Sequence, residues 1–449
     1  MRTSATTRSL LNLATAFLSV EWNEVALRKV ARLATGLPFK RSPPFLRRAL
    51  AAFPTRPTFE NLVAFLSRDF HDHKFHSPVR QIFILPSVMG PPPVAAGPVT
   101  LPQLPTEASL LEWLDIAPGR LRWYADVAGR NRHHPPGPLR TYRHRWIAKP
   151  GGRSRLLEIP QTGLKLLQRK ILAEVLNAIP PHPAAHGFRP GRSIVTNAAP
   201  HCGKQVVLRF DLRDFFPSIP ASRIASIFRT FGYPERVARL LAGLCTTRLP
   251  SDVWNARPNP SQDSTDCAAG RRLANRHLPQ GAPTSPALAN LSAFRLDGRL
   301  AKLAARVGAD YTRYADDLAF SGDDSLSRRA RRFAGKVAAI VAEEGFALNY
   351  RKTRIMRRSE RQHVAGVVVN VRPNVPRKDF DELKAILTNC VRTGAESQNR
   401  EKRSDFRAFL AGRISHLSAI NPTRGRKLQT IFDRIVWRPN VGEPRAKAE

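Results

Sequence analysis

A chain of 449 residues, 42% hydrophobic and 24% charged, is long enough for two to four domains with a sizeable core. Its 73 Lys and Arg against 35 Asp and Glu give a net charge of +38 and a pI near 11.4, which points to a polyanionic partner held with steep salt dependence. The four cysteines, Cys202, Cys245, Cys267 and Cys390, form no C-x-x-C pair; this argues against a zinc ribbon or a disulfide framework and fits a reducing cytoplasm.

The stretch Leu10–Val20 is mildly apolar but too short to span a bilayer, so it reads as a buried helix face and no membrane association is expected. Helical periodicity runs from Leu10 to Leu33 and again from Phe45 to Phe70. The cluster His71-Asp-His-Lys-Phe-His76 has no further ligands at metal spacing and reads as a polar loop. Residues 86–105 are rich in Pro and Gly, an extended linker and the natural domain boundary. The block 1–105 is therefore an N-terminal, mostly helical extension.

A helix from Thr106, carrying Leu110, Leu111, Leu114 and Ile116, leads to Leu121–Tyr124. Residues 142–160 alternate on both sides of the turn Lys149-Pro150-Gly151-Gly152, and the whole reads as a β-hairpin. Its tip, with Lys149, Arg153 and Arg155, can fold over a triphosphate or be a solvated turn. After a helix over 164–179, the segment Ala185–His201 mixes Gly turns, Arg and an aromatic, which suits contact with a template backbone.

Gln205–Ile219 is a buried strand ending in acid. Asp211 stands at the strand's end and Phe216 five residues on, a ring that serves either as core or as a wall past a metal ligand. Asp214 reads as a cap of the following turn. A helical stretch over 221–248 precedes 250–276, whose Asn, Ser, Asp and Arg content reads as an inserted loop. Gln280-Gly281 then forms a turn at the mouth of a helix, with Ser285 as N-cap and Pro286 at its first position.

Tyr311–Phe320 is a second hairpin, with Asp316-Asp317 at its tip. Paired carboxylates there can hold divalent cations over a phosphate, or they can be a solvated turn; the pair alone leaves both open. A helix over 327–344 ends at Gly345, and 346–356 and 362–370 read as further strands. From Arg372 three apolar stripes on basic helices form either a bundle able to grip a duplex or a plain helical subdomain with a solvated charged face, and charge alone does not separate the two.

Asp211, Gln280-Gly281 and Tyr314-Ala-Asp-Asp317 occur in the order seen in reverse transcriptases, which this chain resembles over about 106–440. Gly345, Leu348-Asn349, Lys352-Thr353 and Gly366 resemble the motifs that follow. Within that family it is similar to bacterial retron enzymes: Asn197-Ala-Ala-Pro-His201 fits their N-A-x-x-H element. Val364-Ala365-Gly366 resembles their V-T-G triplet with Ala in place of Thr, and residues 410–428 look like a retron thumb.

The resemblance implies an α+β, right-hand polymerase fold: fingers over 106–205, palm over 206–371 with an antiparallel sheet, and a helical basic thumb over 372–449. It implies RNA-directed DNA synthesis, with Asp211, Asp316, Asp317 and the Leu212 carbonyl holding two Mg²⁺ ions and Lys352 as acid for the leaving group. Lys149, Arg155, Phe216, Gln280 and Gly281 would bind the incoming deoxynucleoside triphosphate, Phe216 excluding a ribose 2′-OH. Asn197, His201, Val364, Ala365 and Gly366 would bind RNA.

The implied partners are a structured noncoding RNA as template and primer, the RNA–DNA hybrid made from it, and an effector protein in defence against phage. No stretch resembles an RNase H domain, so trimming of the template is expected to fall to a host RNase H. Two other readings stay open: an abortive-infection or diversity-generating reverse transcriptase, and a non-catalytic RNA-binding scaffold. The intact Asp211, Asp316 and Asp317 count against the scaffold.

Overall fold

The computed structural model describes residues 5–35, 44–73, 88–148, 154–258 and 264–437, in two compact units that divide between Val88 and Met89. In the first unit the two periodic stretches resolve into four helices, Ala5–Leu18, Glu24–Thr35, Pro44–Ala52 and Phe59–His73. Their apolar stripes close on Leu13, Phe17, Leu27, Leu46, Leu62 and Leu66, all essentially buried. The expected polar loop at 71–76 begins inside the last of these helices, and its remainder, from 74, lies outside the described residues.

In the second unit the described part of the Pro-rich segment is extended apart from one short turn, and it buries Leu101 and Leu104 in the main core. Thr106 caps the helix Glu107–Leu114 in a reciprocal capping box with Ser109. The first hairpin pairs β1 (Tyr142–Ala148) with β2 (Ser154–Pro160), Tyr142 opposite Pro160. Its tip, 149–153, lies outside the described residues.

The palm expected from the resemblance is a four-stranded antiparallel sheet. It consists of β3 (Val206–Asp211), β4 (Asp310–Tyr314), β5 (Asp317–Gly322) and β6 (Arg354–Arg357), in the order β4-β5-β3-β6. Both faces are covered, which is why β3 reads as a nearly continuous apolar run. Val206, Leu208 and Phe210 face the main core with Phe320, under the helix Asp324–Glu343. Val207, Ala319 and Met356 face a second core, shared with the C-terminal helices Arg377–Thr393, Phe406–Ile420 and Pro422–Phe432. A small ribbon, β7 (His363–Val364) with β8 (Val367–Val368), joins that second core. The class is α+β, as expected.

Four local expectations need correction. Residues 250–276 are not an irregular loop where they are described: Ser251–Asn255 and Ser264–Ala274 are helices. Leu249 and Leu273 give them a small core with Leu156 and Trp146, and Arg140 Nη2 donates to both Asp252 carboxylate oxygens at 2.8 and 2.9 Å. Asp214 does not cap a turn through its side chain, which pairs with Arg272. Ser285 is already the first residue of its helix, with Thr284 in the N-cap position and no side-chain cap bond. The strands expected over 346–356 and 362–370 are shorter, because residues 349–353 form a turn before β6 and Ala365-Gly366 turns β7 back onto β8.

The fingers hairpin is locked to the 277–281 turn by a buried charge pair. His277 Nε2 lies 3.1 and 3.0 Å from the two Glu158 oxygens, each side chain only 1% exposed. Glu158 N donates to the Gln280 carbonyl at 2.9 Å, and Gly281 sits at φ +132°, where a Cβ would meet the Glu158 carbonyl at 3.0 Å. Burial pulls the His277 pKa down, but the Glu158 charge, its hydrogen bond and the Asn275 carbonyl outweigh it, so the net shift is upward. A raised folded pKa makes the pair's contribution full below the ordinary value of 6.5, and the contribution is lost as pH rises through the folded value. Glu158→Gln is therefore expected to cost about 3–5 kcal/mol at pH 6 and less at pH 9. Thermal unfolding of both proteins across that range checks this, and a gap independent of pH would contradict it.

Candidate active site

Register places the acidic residues. Asp211, the last residue of β3, is directly opposite Asp317, the first residue of β5. Leu212 N donates to the Asp316 carbonyl at 2.8 Å, so the turn is stitched to the end of β3. Beyond it, Asn349 N donates to the Asp211 carbonyl at 2.8 Å and Asn349 Nδ2 to Asp211 Oδ1 at 3.1 Å. Lys352 Nζ lies 2.7 Å from Asp211 Oδ2, with Asp211 almost buried and Lys352 half exposed. The turn that shortened the expected strand is thus what delivers Lys352 and Asn349.

Three carboxylates at one sheet end repel one another. Burial, then the charges of Asp317 and Asp211, hold Asp316 above the ordinary carboxylate range. Burial also raises Asp317, with Asp211 adding to it and Arg209, 3.3 Å away, opposing it. Among the described residues no three Asp, Glu, His or Cys side chains make a ready-made metal cage. The donor set nonetheless fits a hard divalent cation, which takes carboxylate oxygens and commonly fills its shell with substrate phosphate and water. Residues fit to hold it are Asp211, Asp316, Asp317 and the Leu212 carbonyl, once Lys352 and Arg209 yield.

Beneath the turn lies a network that the sequence pattern did not reveal. Arg313, fully buried, forks onto Asp297 with Nε–Oδ1 2.8 Å and Nη2–Oδ2 2.7 Å. Its Nη1 donates to Asn290 Oδ1 and to the Ala315 carbonyl, both at 3.0 Å. Tyr311 Oη donates to Asp297 Oδ1 at 2.8 Å. Ala315 sits at φ +56°, a conformation unfavourable for a residue with a Cβ, and the guanidinium holds its carbonyl there. The one available signal was an Arg in the strand that leads into the acidic turn.

The remaining expected residues sit as follows. Lys149 lies outside the described residues, and Arg155 is exposed on β2, opposite Ile147. Gln280 and Gly281 join that same strand through Glu158. Phe216 is half-buried, its ring 5.6 Å from that of Phe215. Asn197 and His201 are 1% and 0% exposed, so the structure does not bring their side chains to a surface where RNA could touch them.

His201 instead bridges the two strands of the acidic hairpin. Its Nδ1 is 2.7 Å from Ser321 Oγ and its Nε2 2.8 Å from Thr312 Oγ1. Thr312 Oγ1 donates to the Asn197 carbonyl at 3.1 Å, which leaves the proton on His201 Nε2 and Nδ1 as acceptor from Ser321. Burial lowers the His201 pKa to about 4, in keeping with a neutral ring. Val364 is also buried, while Ala365 (φ +47°) and exposed Gly366 (φ +85°) form the tip of the β7–β8 turn.

A template-directed nucleotidyltransferase is the class that this fold and acidic site define. Residues 147–369 match the family described as reverse transcriptase (RNA-dependent DNA polymerase). The chain is 40% identical over 331 residues to the retron Mx65 reverse transcriptase of Myxococcus xanthus, covering 73% of this chain and 71% of that protein. It is 35% identical over 343 residues to the retron Mx162 reverse transcriptase of the same organism, covering 73% and 66%. With the retron Ec86 reverse transcriptase of Escherichia coli it shares 29% over 299 residues, covering 66% and 81%. The chain belongs to the retron reverse transcriptases and is an RNA-directed DNA polymerase. Among the described residues no helix is long and apolar enough to cross a membrane.

The raised carboxylates carry a stability cost. The folded chain binds their protons more tightly than the unfolded chain, so the ionised turn destabilises above the raised pKa, and that cost fades as pH falls through it. Asp316→Asn is expected to raise the melting temperature at neutral pH while reducing DNA synthesis by about a thousandfold or more. The gain in melting temperature should shrink on acidification. A lower melting temperature, or retained synthesis, would contradict the assignment.

Proposed function

We propose that this chain reverse transcribes a cognate structured noncoding RNA into branched, RNA-linked single-stranded DNA, priming from an internal guanosine 2′-OH. The observation that carries the polymerase site is the register of β3 on β5, which sets Asp211 against Asp317 beside Asp316 and Lys352. The likeness to retron enzymes supports the choice of template.

In this reading Asp211, Asp316, Asp317 and the Leu212 carbonyl bind two Mg²⁺ ions. When bound, such cations activate the attacking hydroxyl and neutralise the departing pyrophosphate. Arg155 and Lys149 attract the triphosphate to the fingers hairpin, and Gln280, fixed by Glu158, faces the nascent base pair. Phe216 occupies the space that a ribose 2′-OH would need. Lys352, released from Asp211, is placed to give a proton to the leaving group.

The basic thumb and the Ala365-Gly366 tip contact the RNA through its backbone and shape, as folded RNA is generally read. Asn197 and His201 brace the acidic hairpin from behind. The biological role we infer is defence against phage from the cytoplasm, with an effector protein as partner and a host RNase H trimming the template.

Nucleic acid extracted with the protein expressed from its native locus is expected to contain single-stranded DNA of one defined length. Its 5′ end should resist ligation until a debranching enzyme cleaves the 2′–5′ bond. Heterogeneous DNA, or a free 5′ end before debranching, would contradict the retron product while leaving the polymerase assignment intact.

A further inference from the structure

The segment just before Phe188 is fastened to β4 and to the helix Ser285–Ser292. Arg313 N donates to the Ala184 carbonyl and His186 N to the Arg313 carbonyl, both at 2.8 Å. Asn290 Nδ2 donates to the Gly187 carbonyl at 2.9 Å. Gly187 lies so near the acidic turn that a Cβ there would come within 2.7 Å of Ala315 N. With its approach fixed in this way, the chain turns out to solvent at Phe188.

Phe188 adopts φ +59° and is 48% exposed. A bulky residue in the left-handed region is strained, and an exposed ring recovers little by burial, so stability alone gives no reason for this side chain. Its neighbours do. The Phe188 ring centroid is 6.1 Å from Phe216 and 6.5 Å from Tyr314, both tilted contacts. Phe216 in turn lies 5.6 Å from Phe215, which packs at 5.7 Å on Phe346. The inner side of Phe216 is therefore set by the core, whereas Phe188 reaches it from an exposed loop.

We propose that Phe188 is a positioning residue for sugar selection: it covers Phe216 and holds that ring where a ribose 2′-OH would have to go, so that two rings rather than one form the gate. The proposal rests on the reading of Phe216 as the wall against ribonucleotides. Phe188 does its work through Phe216, and the strained backbone is the means by which a loop ring is presented at a fixed place beside the acidic turn. Tyr314, on the strand leading into that turn, flanks Phe188 and ties the gate to the carboxylates.

The test compares kcat/KM for a deoxynucleoside triphosphate and its ribo counterpart on one RNA template. The variants are Phe188→Gly, Phe188→Asn, Phe188→Tyr, Phe216→Ala and the double variant that combines F188G with F216A. Gly and Asn both accept the positive φ, so either removes the ring while suiting the backbone. F188G and F188N are expected to lower the preference for the deoxy sugar by about tenfold, a size typical of one altered apolar contact. Phe188→Tyr should keep the preference, and the double variant should be no less selective than F216A alone, since no ring remains to be positioned.

An unchanged preference in F188G and F188N, beside a relaxed F216A, would overturn the proposal and leave Phe216 as the gate. Additive losses in the double variant would overturn it too, because Phe188 would then act independently. If F216A itself kept full selectivity, the gate reading would fall, and this proposal with it.

Discussion

The ion pair between Arg313 and Asp297 sits at 0% exposure directly under the turn that carries Asp316 and Asp317. Burying two charges costs several kcal/mol unless each is fully paired, and removing one partner of such a pair typically costs about 3–5 kcal/mol. Here the fork is complete: both Asp297 oxygens, the Asn290 amide oxygen and the Ala315 carbonyl all accept from one guanidinium. The pair joins the helices Ser285–Ser292 and Phe294–Ala305 to β4 and to the backbone of the turn. It holds Ala315 in its left-handed conformation, and with it the direction in which the two carboxylates point.

That support is needed because the site opposes its own formation. Asp316 and Asp317 are half-buried beside Asp211, and each is pushed toward the neutral acid by burial and by the Asp211 charge. Arg313 does not relieve this, since Asp297 already neutralises it. Lys352 and Arg209 balance part of the charge from the exposed side, where a cation bound with substrate could replace them. The palm is thus a rigid base carrying a strained acidic rim, which is a common division of labour in sites tuned for charge chemistry.

Much of this was legible in the sequence. Alternation showed both hairpins, and the acidic residues followed from a strand ending in Asp211 and a hairpin tipped by Asp316-Asp317. The supports were not legible, because they join residues far apart in the chain: Glu158 with His277, Arg313 with Asp297 and Asn290, His201 with Thr312 and Ser321. Polar residues in such positions look like surface or ligand contacts until burial is known. Asn197 and His201 enter as RNA contacts only through the resemblance of residues 197–201 to the retron N-A-x-x-H element, and the structure buries both. The polar run 250–276 misled in the opposite direction, since a few apolar residues, Val253, Trp254 and Leu273 among them, sufficed to pack short helices against the fingers hairpin.

Whether the Arg313–Asp297 fork sets the acidic turn is read from the Mg²⁺ dependence of nucleotide addition by Arg313→Lys. Lysine keeps the charge but cannot supply the fork's parallel donors. In folded variant protein with unaltered affinity for RNA, the Mg²⁺ concentration for half-maximal rate is expected to rise about tenfold and the maximal rate to fall. A folded Arg313→Lys protein with the wild-type Mg²⁺ requirement and maximal rate would show that the fork does not set the turn.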